Sequence, residues 1–311
     1  YTADASHLGI PVLLMTPGPD DLPSRAAARQ VFDQIIKDLQ DAEQLFGERF
    51  MTDAYHASKE SAWALLSRVY LYKEDWENAI LYSTRVIDRM PLAHGDEYLE
   101  MYHNLVPGKE AILRFNGSLK SKSLNSFYSS NEPVAMAADS LLGLFTDPED
   151  IRLQLFAPDK NNELRISTKY RIMVEYTPDQ ERYDPFVFRV SEIYLNRAEA
   201  YLRAGEPVKA AADLGAIIAR ALNKNVDEVS INHQDDDQLM RSIKEERAKE
   251  LSFEGHNFFD IVRYKDPLVR GSSTLSNVKR LENPNDLFVL PIPQSELNAN
   301  TNMQGNPTVN N

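Results

Sequence analysis

The sequence predicts an all-α fold of helical hairpins, interrupted by one long irregular insertion with short β-strands. Three observations predict it. Apolar residues recur at spacings of three and four in separate stretches, which is the period of a helix with one buried face. Two of those stretches repeat each other at a fixed offset of 131 residues, from Trp63 to Tyr194 and onward. Between them, from about His103 to Pro185, no helical stripe is sustained and Gly, Asn, Ser and Pro recur.

Residues 8–30 read as an extended, turn-rich lead-in, because Pro11, Pro17, Pro19 and Pro23 block helix and Pro17-Gly18-Pro19-Asp20 is turn chemistry. Val31, Ile35, Leu39, Ala42 and Leu45 then form one apolar stripe with Asp33, Lys37, Asp38 and Asp41 between them, and Gly47 ends that helix. Residues 58–91 follow the tetratricopeptide pattern W-x2-L-G-x2-Y, A-x3-F, P, in which each position fills a place where two antiparallel helices interlock. Trp63, Leu66, Tyr70, Ala79 and Pro91 are in register, while Ser67 and Ser83 replace the Gly and the Phe.

The second copy places Tyr194, Ala198, Tyr201, Ala210, Leu214 and Ile217 at the positions of Trp63, Ser67, Tyr70, Ala79, Ser83 and Val86, with Ala204-Gly205-Glu206-Pro207 as its turn. A tandem solenoid would put the copies ~34 residues apart, so the hairpins are separated by the insertion. A third amphipathic helix spans about Gln238 to Ser252, and Phe258–Val262 follows it after Gly255. The helical repeats thus occupy about 31–91, 190–222 and 238–263, and the insertion about 103–185, within one domain over 1–311. In the insertion, Ala111–Phe115 and Ile172–Tyr176 read as strands and Ser140–Phe145 as a short helix. Far beyond the ~12–15 residues at which an unstructured connection is usually functional, it reads as a binding-loop region. Pro291 and Pro293 end any helix within Phe288–Pro293, and the Asn-rich tail after Asn298 reads as a surface strap.

Composition narrows the function. With 34 Lys+Arg against 47 Asp+Glu the net charge is 34 − 47 = −13, and basic stretches such as Lys120-Ser121-Lys122 are short and set in an otherwise acidic chain, which argues against binding nucleic acid. The absence of Cys excludes disulfides, Cys-ligated zinc or iron–sulfur sites and a Cys nucleophile. Apolar runs such as Ile10–Met15 fall far short of the ~20 residues needed to span a bilayer. The chain opens on Tyr-Thr-Ala-Asp without a secretory signal and reads as a mature piece.

No two of the 12 glycines are separated by a single residue, so dinucleotide-binding and Walker loops are missing, and the six histidines never take a close metal-ligand spacing. No metal and no cofactor are expected. Asp147-Pro148-Glu149-Asp150 and Asp235-Asp236-Asp237 read as solvated helix-start charges. Glycosidase chemistry needs two carboxylates facing each other across a sugar. The acids around Glu245-Glu246-Arg247 and Lys249-Glu250 read instead as i,i+3 and i,i+4 helix pairs.

The stretch Ser242-Ile243-Lys244-Glu245-Glu246-Arg247-Ala248-Lys249-Glu250-Leu251-Ser252-Phe253-Glu254-Gly255-His256-Asn257-Phe258-Phe259-Asp260-Ile261-Val262-Arg263 resembles the C-terminal signature of the RagB/SusD nutrient-uptake family, roughly I-x-x-E-R-x-x-E-L-x-F-E-G-x-R-x-x-D-L-x-R. Phe188–Ala200, Leu290–Glu296 and Leu8–Val12 resemble other family segments in the same order. Asn257 departs where the family commonly has Arg. The resemblance implies a tetratricopeptide-like, SusD-like scaffold whose Arg247, Glu250 and Glu254 tie helices together. It also implies a surface-exposed outer-membrane lipoprotein, lid of a SusC-like TonB-dependent transporter, that binds oligosaccharide or polysaccharide without cleaving it. The family's lipid-anchoring Cys and further N-terminal part would precede this chain, so the membrane is reached only through an anchor outside it.

A sugar site needs flat aromatics for C–H faces and amides or charged groups for hydroxyls. With Trp63 and Trp76 expected in the core, Asn125, Phe127, Tyr128 and Asn131 form the best cluster of the insertion, followed by Tyr176, Arg182 and Tyr183. A peptide-binding tetratricopeptide adaptor and a glycoside hydrolase are the alternatives. The acids are expected on outer helix faces, disfavouring an anionic glycan unless a basic patch at Lys120, Lys122 or Arg182 intervenes.

Overall fold

The computed structural model describes residues 5–48, 53–103, 108–116, 124–171, 183–272 and 274–306. The lead-in is extended, and α1 (Ala28–Phe46) follows, starting three residues ahead of the expected stripe. Only Ala28 of α1 is buried; half-buried Ile36 and Leu39 press it onto the outside of the core. The first hairpin is α2 (Lys59–Tyr72) and α3 (Trp76–Ile87), capped by Ser58 and Asp75, whose side chains accept from the backbone N–H of Ser61 and Asn78.

α4 (Asp96–His103) leads up to the insertion, whose first strand is β1 (Ala111–Arg114). A short π-helix at Asn125–Ser129 and α5 (Asp139–Leu142) follow, then a 3-10 turn at Ile151–Leu155, β2 (Phe156–Pro158) and β3 (Leu164–Ser167). It closes with β4 (Phe186–Arg189), antiparallel to β1 with Ala111 opposite Arg189, so one two-stranded ribbon pinches both ends of the insertion together. The expected strand at Ile172–Tyr176 lies outside the described residues.

β4 runs directly into α6 (Val190–Arg203), which with α7 (Pro207–Ala221) forms the second hairpin. Then come α8 (Asp236–Glu250), α9 (Asn257–Tyr264), a ribbon of β5 (Leu268–Val269) and β6 (Arg280–Leu281), and α10 (Gln294–Ala299). α3 packs on α6, and α8 lies across both α6 and α7. The repeat positions Trp63, Leu66, Tyr70, Ala79, Ala198, Ala210, Leu214 and Ile217 all belong to this main core. A second, smaller core of Ala93, Tyr98, Met101, Tyr102, Ile151 and Leu155 lies under the insertion.

The two departures from the repeat pattern face each other: Ser67 and Ser83, both fully buried, share a 2.8 Å hydrogen bond between their hydroxyls. Asn196 of α6 donates to Ser67 at 3.3 Å and accepts from Arg247 of α8 at 2.8 Å, so a polar thread crosses the contact between the hairpins. At the chain's ends, Arg25 donates Nε and Nη2 to the carbonyls of Gly9 and Leu8 and Nη1 to that of Gln304, while Asn300 and Asn302 donate to Pro23 and Leu22. The Asn-rich tail is thus a strap over the lead-in.

Removing one partner of a buried hydroxyl pair leaves the other unsatisfied, at about 1–3 kcal/mol, whereas removing both costs less than the sum. In urea unfolding, Ser67→Ala and Ser83→Ala are each expected to cost about 1–2 kcal/mol, with the double variant below their sum by about 1 kcal/mol. Strict additivity would rule out the pairing.

Candidate functional site

The expected cluster lies on and after the π-helix. Phe127 is 42% exposed and Asn131 is exposed, while Tyr128 is half-buried. Phe127 meets Tyr128 edge-on with ring centroids 4.8 Å apart, and Tyr128 rests on Tyr170 (5.9 Å) and on Phe253 after α8 (5.3 Å). Tyr170 is the anchor beneath: its hydroxyl donates to the Phe253 carbonyl at 2.9 Å, its N–H donates to Ser129 Oγ, and its carbonyl accepts from the Asn125 amide. Sequence reasoning overlooked Tyr170 and Phe253, because neither stands in a cluster of amides and small hydroxyls.

Tyr183 corrects an expectation. It is 8% exposed, packed against Tyr170, and its hydroxyl accepts from the Leu124 N–H, so it braces the cluster instead of presenting a face. Asn125 likewise spends its amide on the Tyr170 carbonyl. Phe127 and Asn131 are the predicted residues left at the surface, beside exposed Val134 and Met136. Tyr176 and Arg182 lie outside the described residues, as do Lys120 and Lys122.

Below this platform, charges fill the boundary between the two cores. Glu250 of α8, fully buried, accepts from Arg189 (2.5 Å) and Arg220 (2.7 Å) on one oxygen and from Arg152 (3.1 Å) on the other. Arg152 also binds Asp150 and Glu246; Arg189 also binds Glu110 and Glu254. Lys169, beside Tyr170, donates to Glu254 at 2.6 Å and to the carbonyls of Glu250 and Ser252, capping the end of α8. The guanidinium of Arg220 lies 3.8 Å from the Tyr98 ring centroid, a cation–π contact for a group whose Nε and Nη1 make no hydrogen bond.

This overturns two expectations. Spacing read the acids of α8 as exposed helix pairs, whereas the resemblance implied that Arg247, Glu250 and Glu254 tie helices together, and the structure bears out the resemblance. Lys249–Glu246 is such a pair, but Glu246, Arg247 and Glu250 are buried and bind residues far along the chain. Asp150, expected as a solvated helix-start charge, is 4% exposed and bound to Arg152; Asp235 does cap α8, accepting from Gln238 N–H. Trp76 departs in part: it is half-buried, packed on the core yet lining a cleft at the end of the first hairpin. Among the described residues no group of three or more His, Asp or Glu could hold a metal ion.

A family model described as the SusD family matches residues 153–308, just over half the chain, and one described as "Starch-binding associating with outer membrane" matches residues 3–71. The chain belongs to the SusD family. A search of the curated proteins returned no match. Among solved structures, a SusD superfamily protein from Bacteroides thetaiotaomicron is 27% identical with a TM-score of 0.83, covering 98% of this chain and 72% of that one. A putative sugar binding protein from Bacteroides vulgatus is 26% identical with a TM-score of 0.84, covering 98% and 71%. A SusD superfamily protein from Bacteroides vulgatus is 25% identical with a TM-score of 0.83, covering 99% and 72%.

Burial would raise the Glu254 carboxyl, but Arg189 and Lys169 outweigh it and hold it at about 2, against an ordinary 4.5; Glu250 is also held well below that value by Arg220, Arg189 and Arg152 despite its burial. A carboxyl lowered in the folded state contributes stability that is present above its unfolded value and lost as pH falls through the folded one. Stability is therefore expected to fall between pH 4.5 and about 2, with Glu254 contributing on the order of 3 kcal/mol of the loss. Glu254→Gln should flatten that part of the curve in urea melts at pH 3 and pH 7. Glu250→Gln, which strands buried guanidinium groups, should cost about 3–5 kcal/mol at neutral pH.

Proposed function

We propose that this SusD-family chain is a non-catalytic glycan-binding protein at the outer membrane surface, held there by a lipid anchor outside this sequence and acting as the lid of a SusC-like TonB-dependent transporter. The observation that carries the binding role is the exposed Phe127 ring, seated on the braced tyrosines of the insertion, with exposed Asn131 four residues further along the chain. The family model described as starch-binding and associating with the outer membrane, and the similar structure named as a putative sugar binding protein, support the ligand class and the location. In this reading Phe127 stacks on a pyranose face and Asn131 takes ring hydroxyls. Tyr128, Asn125 and Tyr183 hold the platform. No helix among the described residues is long and apolar enough to cross a membrane.

The carboxylates support binding without cleavage. A glycosidase acid must hold its proton near neutral pH, which calls for a raised pKa. Glu192, Glu199, Glu250, Glu254 and Asp260 are instead held below their ordinary values by neighbouring cations in spite of burial. Asp213 is raised by burial, but both its oxygens are bound by Arg197 at 2.8 Å.

Affinity electrophoresis against a panel of polysaccharides tests the reading. Retardation by at least one glycan is expected, with no release of reducing ends. Phe127→Ala, at an exposed position, should weaken retention about tenfold while leaving the melting temperature within a degree or two, since one aromatic contact is worth about 1–1.5 kcal/mol. Full retention by Phe127→Ala would remove the site from the insertion, and reducing-end release would remove the non-catalytic role.

A further inference from the structure

At the far end of the first hairpin, where α2, α6 and α9 terminate and α3 begins, a cleft of about 220 Å3 opens. It falls below the ~300–1,000 Å3 of pockets for drug-sized ligands and suits one small ring. Its aromatic walls are Tyr72 and Trp76, both half-buried, with Tyr264 behind. Its charged groups are Arg203, Arg263 and Lys265 against Glu74 and Glu199, an excess of cation in a chain of net charge −13.

The excess is uncommitted. Arg263 and Glu199 satisfy each other through two bonds of 2.6 and 2.7 Å, joined by the Tyr264 hydroxyl. That leaves exposed Arg203 and Lys265 and exposed Glu74, none of whose side chains bonds another described residue. Glu74 and Lys265 hold their places in left-handed backbone, at φ 59° and 58°. Offset by the 131 residues that relate the hairpins, Glu74 corresponds to Gly205, at φ 79°. The second turn uses the residue that this conformation favours, whereas the first keeps a carboxylate there, at the cleft mouth.

We propose that this cleft binds a uronic acid, a sugar ring carrying a carboxylate, as a site separate from the Phe127 platform. The sugar carboxylate pairs with Arg203 and Lys265, the C–H face stacks on Trp76 and Tyr72, and Glu74 accepts ring hydroxyls. Tyr72 also lines a second cleft of about 350 Å3 with Arg68, His256 and Phe259, which gives the rest of a glycan a way out. The overall negative charge does not forbid this, because beyond ~8 Å it is screened at physiological salt and the local cations decide. The inference rests on the carbohydrate-binding reading of the chain.

Trp76 reports on the cleft directly, since Trp63, the other tryptophan, is buried in the core. Titration with D-galacturonate should give a saturable change in tryptophan fluorescence that vanishes in Trp76→Phe. Arg203→Gln should weaken it about tenfold, the effect of one lost charge-assisted hydrogen bond, at an unchanged melting temperature. Galactose and acetate at equal concentration should give no saturable response. Absence of saturation with galacturonate overturns the proposal. So does an equal response to acetate, which makes this a plain anion site, or to alanine, which makes it an amino-acid site. Arg203→Gln that lowers the melting temperature and leaves binding unchanged also overturns it, reducing Arg203 to a helix-end counter-charge. Phe127→Ala should leave the galacturonate response intact. Polysaccharide retention without that response defeats this inference alone, and loss of both defeats the carbohydrate reading with it.

Discussion

The buried carboxylate of Glu250 is the constraint on which the rest of the structure depends. It stands at the boundary of two hydrophobic cores and is bound by guanidinium groups from the insertion, from the strand that closes it and from the second hairpin. Around it Arg152, Lys169, Arg189 and Arg220 face Glu110, Asp150, Glu246, Glu250 and Glu254, with Lys249 at the rim bringing the charges to balance. Burying so many ions costs about as much as their attraction returns, so the cluster adds little net stability. What it adds is registry: a shift of α8 along its neighbours would strand several charges at once.

That division explains which features the sequence disclosed. The hairpins were readable because each repeat residue contacts neighbours within the same short unit, and the offset of 131 carried the pattern across intact. Spacing alone did not disclose the charge network, because Glu250 finds Arg189 61 residues away and Arg152 98 residues away; it was the resemblance of the signature that implied Arg247, Glu250 and Glu254 as ties between helices. Ser67 and Ser83 were visible as departures; that they complete each other emerges only when the two helices are set side by side.

The candidate site was half readable for the same reason. Composition located the aromatic and amide cluster at 125–131, but which rings face outward depends on what lies beneath. Tyr170 and Phe253 take the inner places, Tyr183 closes the side, and Phe127 is left outside. Lys169 joins this arrangement to the network by tying the end of α8 to the residue before Tyr170. Phe127 therefore stands on a rigid chain of contacts running back to Glu250. Ordering a loop on binding subtracts from affinity, and a ring already fixed avoids that cost.

The same chain thus uses its cations in two opposite ways. In the interior Arg152 and Arg189 are matched by carboxylates until little field remains for a ligand, and those groups serve as structure even where a titration shift is large. At the helix ends by Trp76 the balance is left open, with Arg203 and Lys265 unmatched beside Glu74. A pronounced pKa shift is accordingly the poorer guide to recognition in this fold. The charges that can select a ligand are those whose own partners have not been supplied, and in an acidic protein such a cationic remainder stands out by its sign.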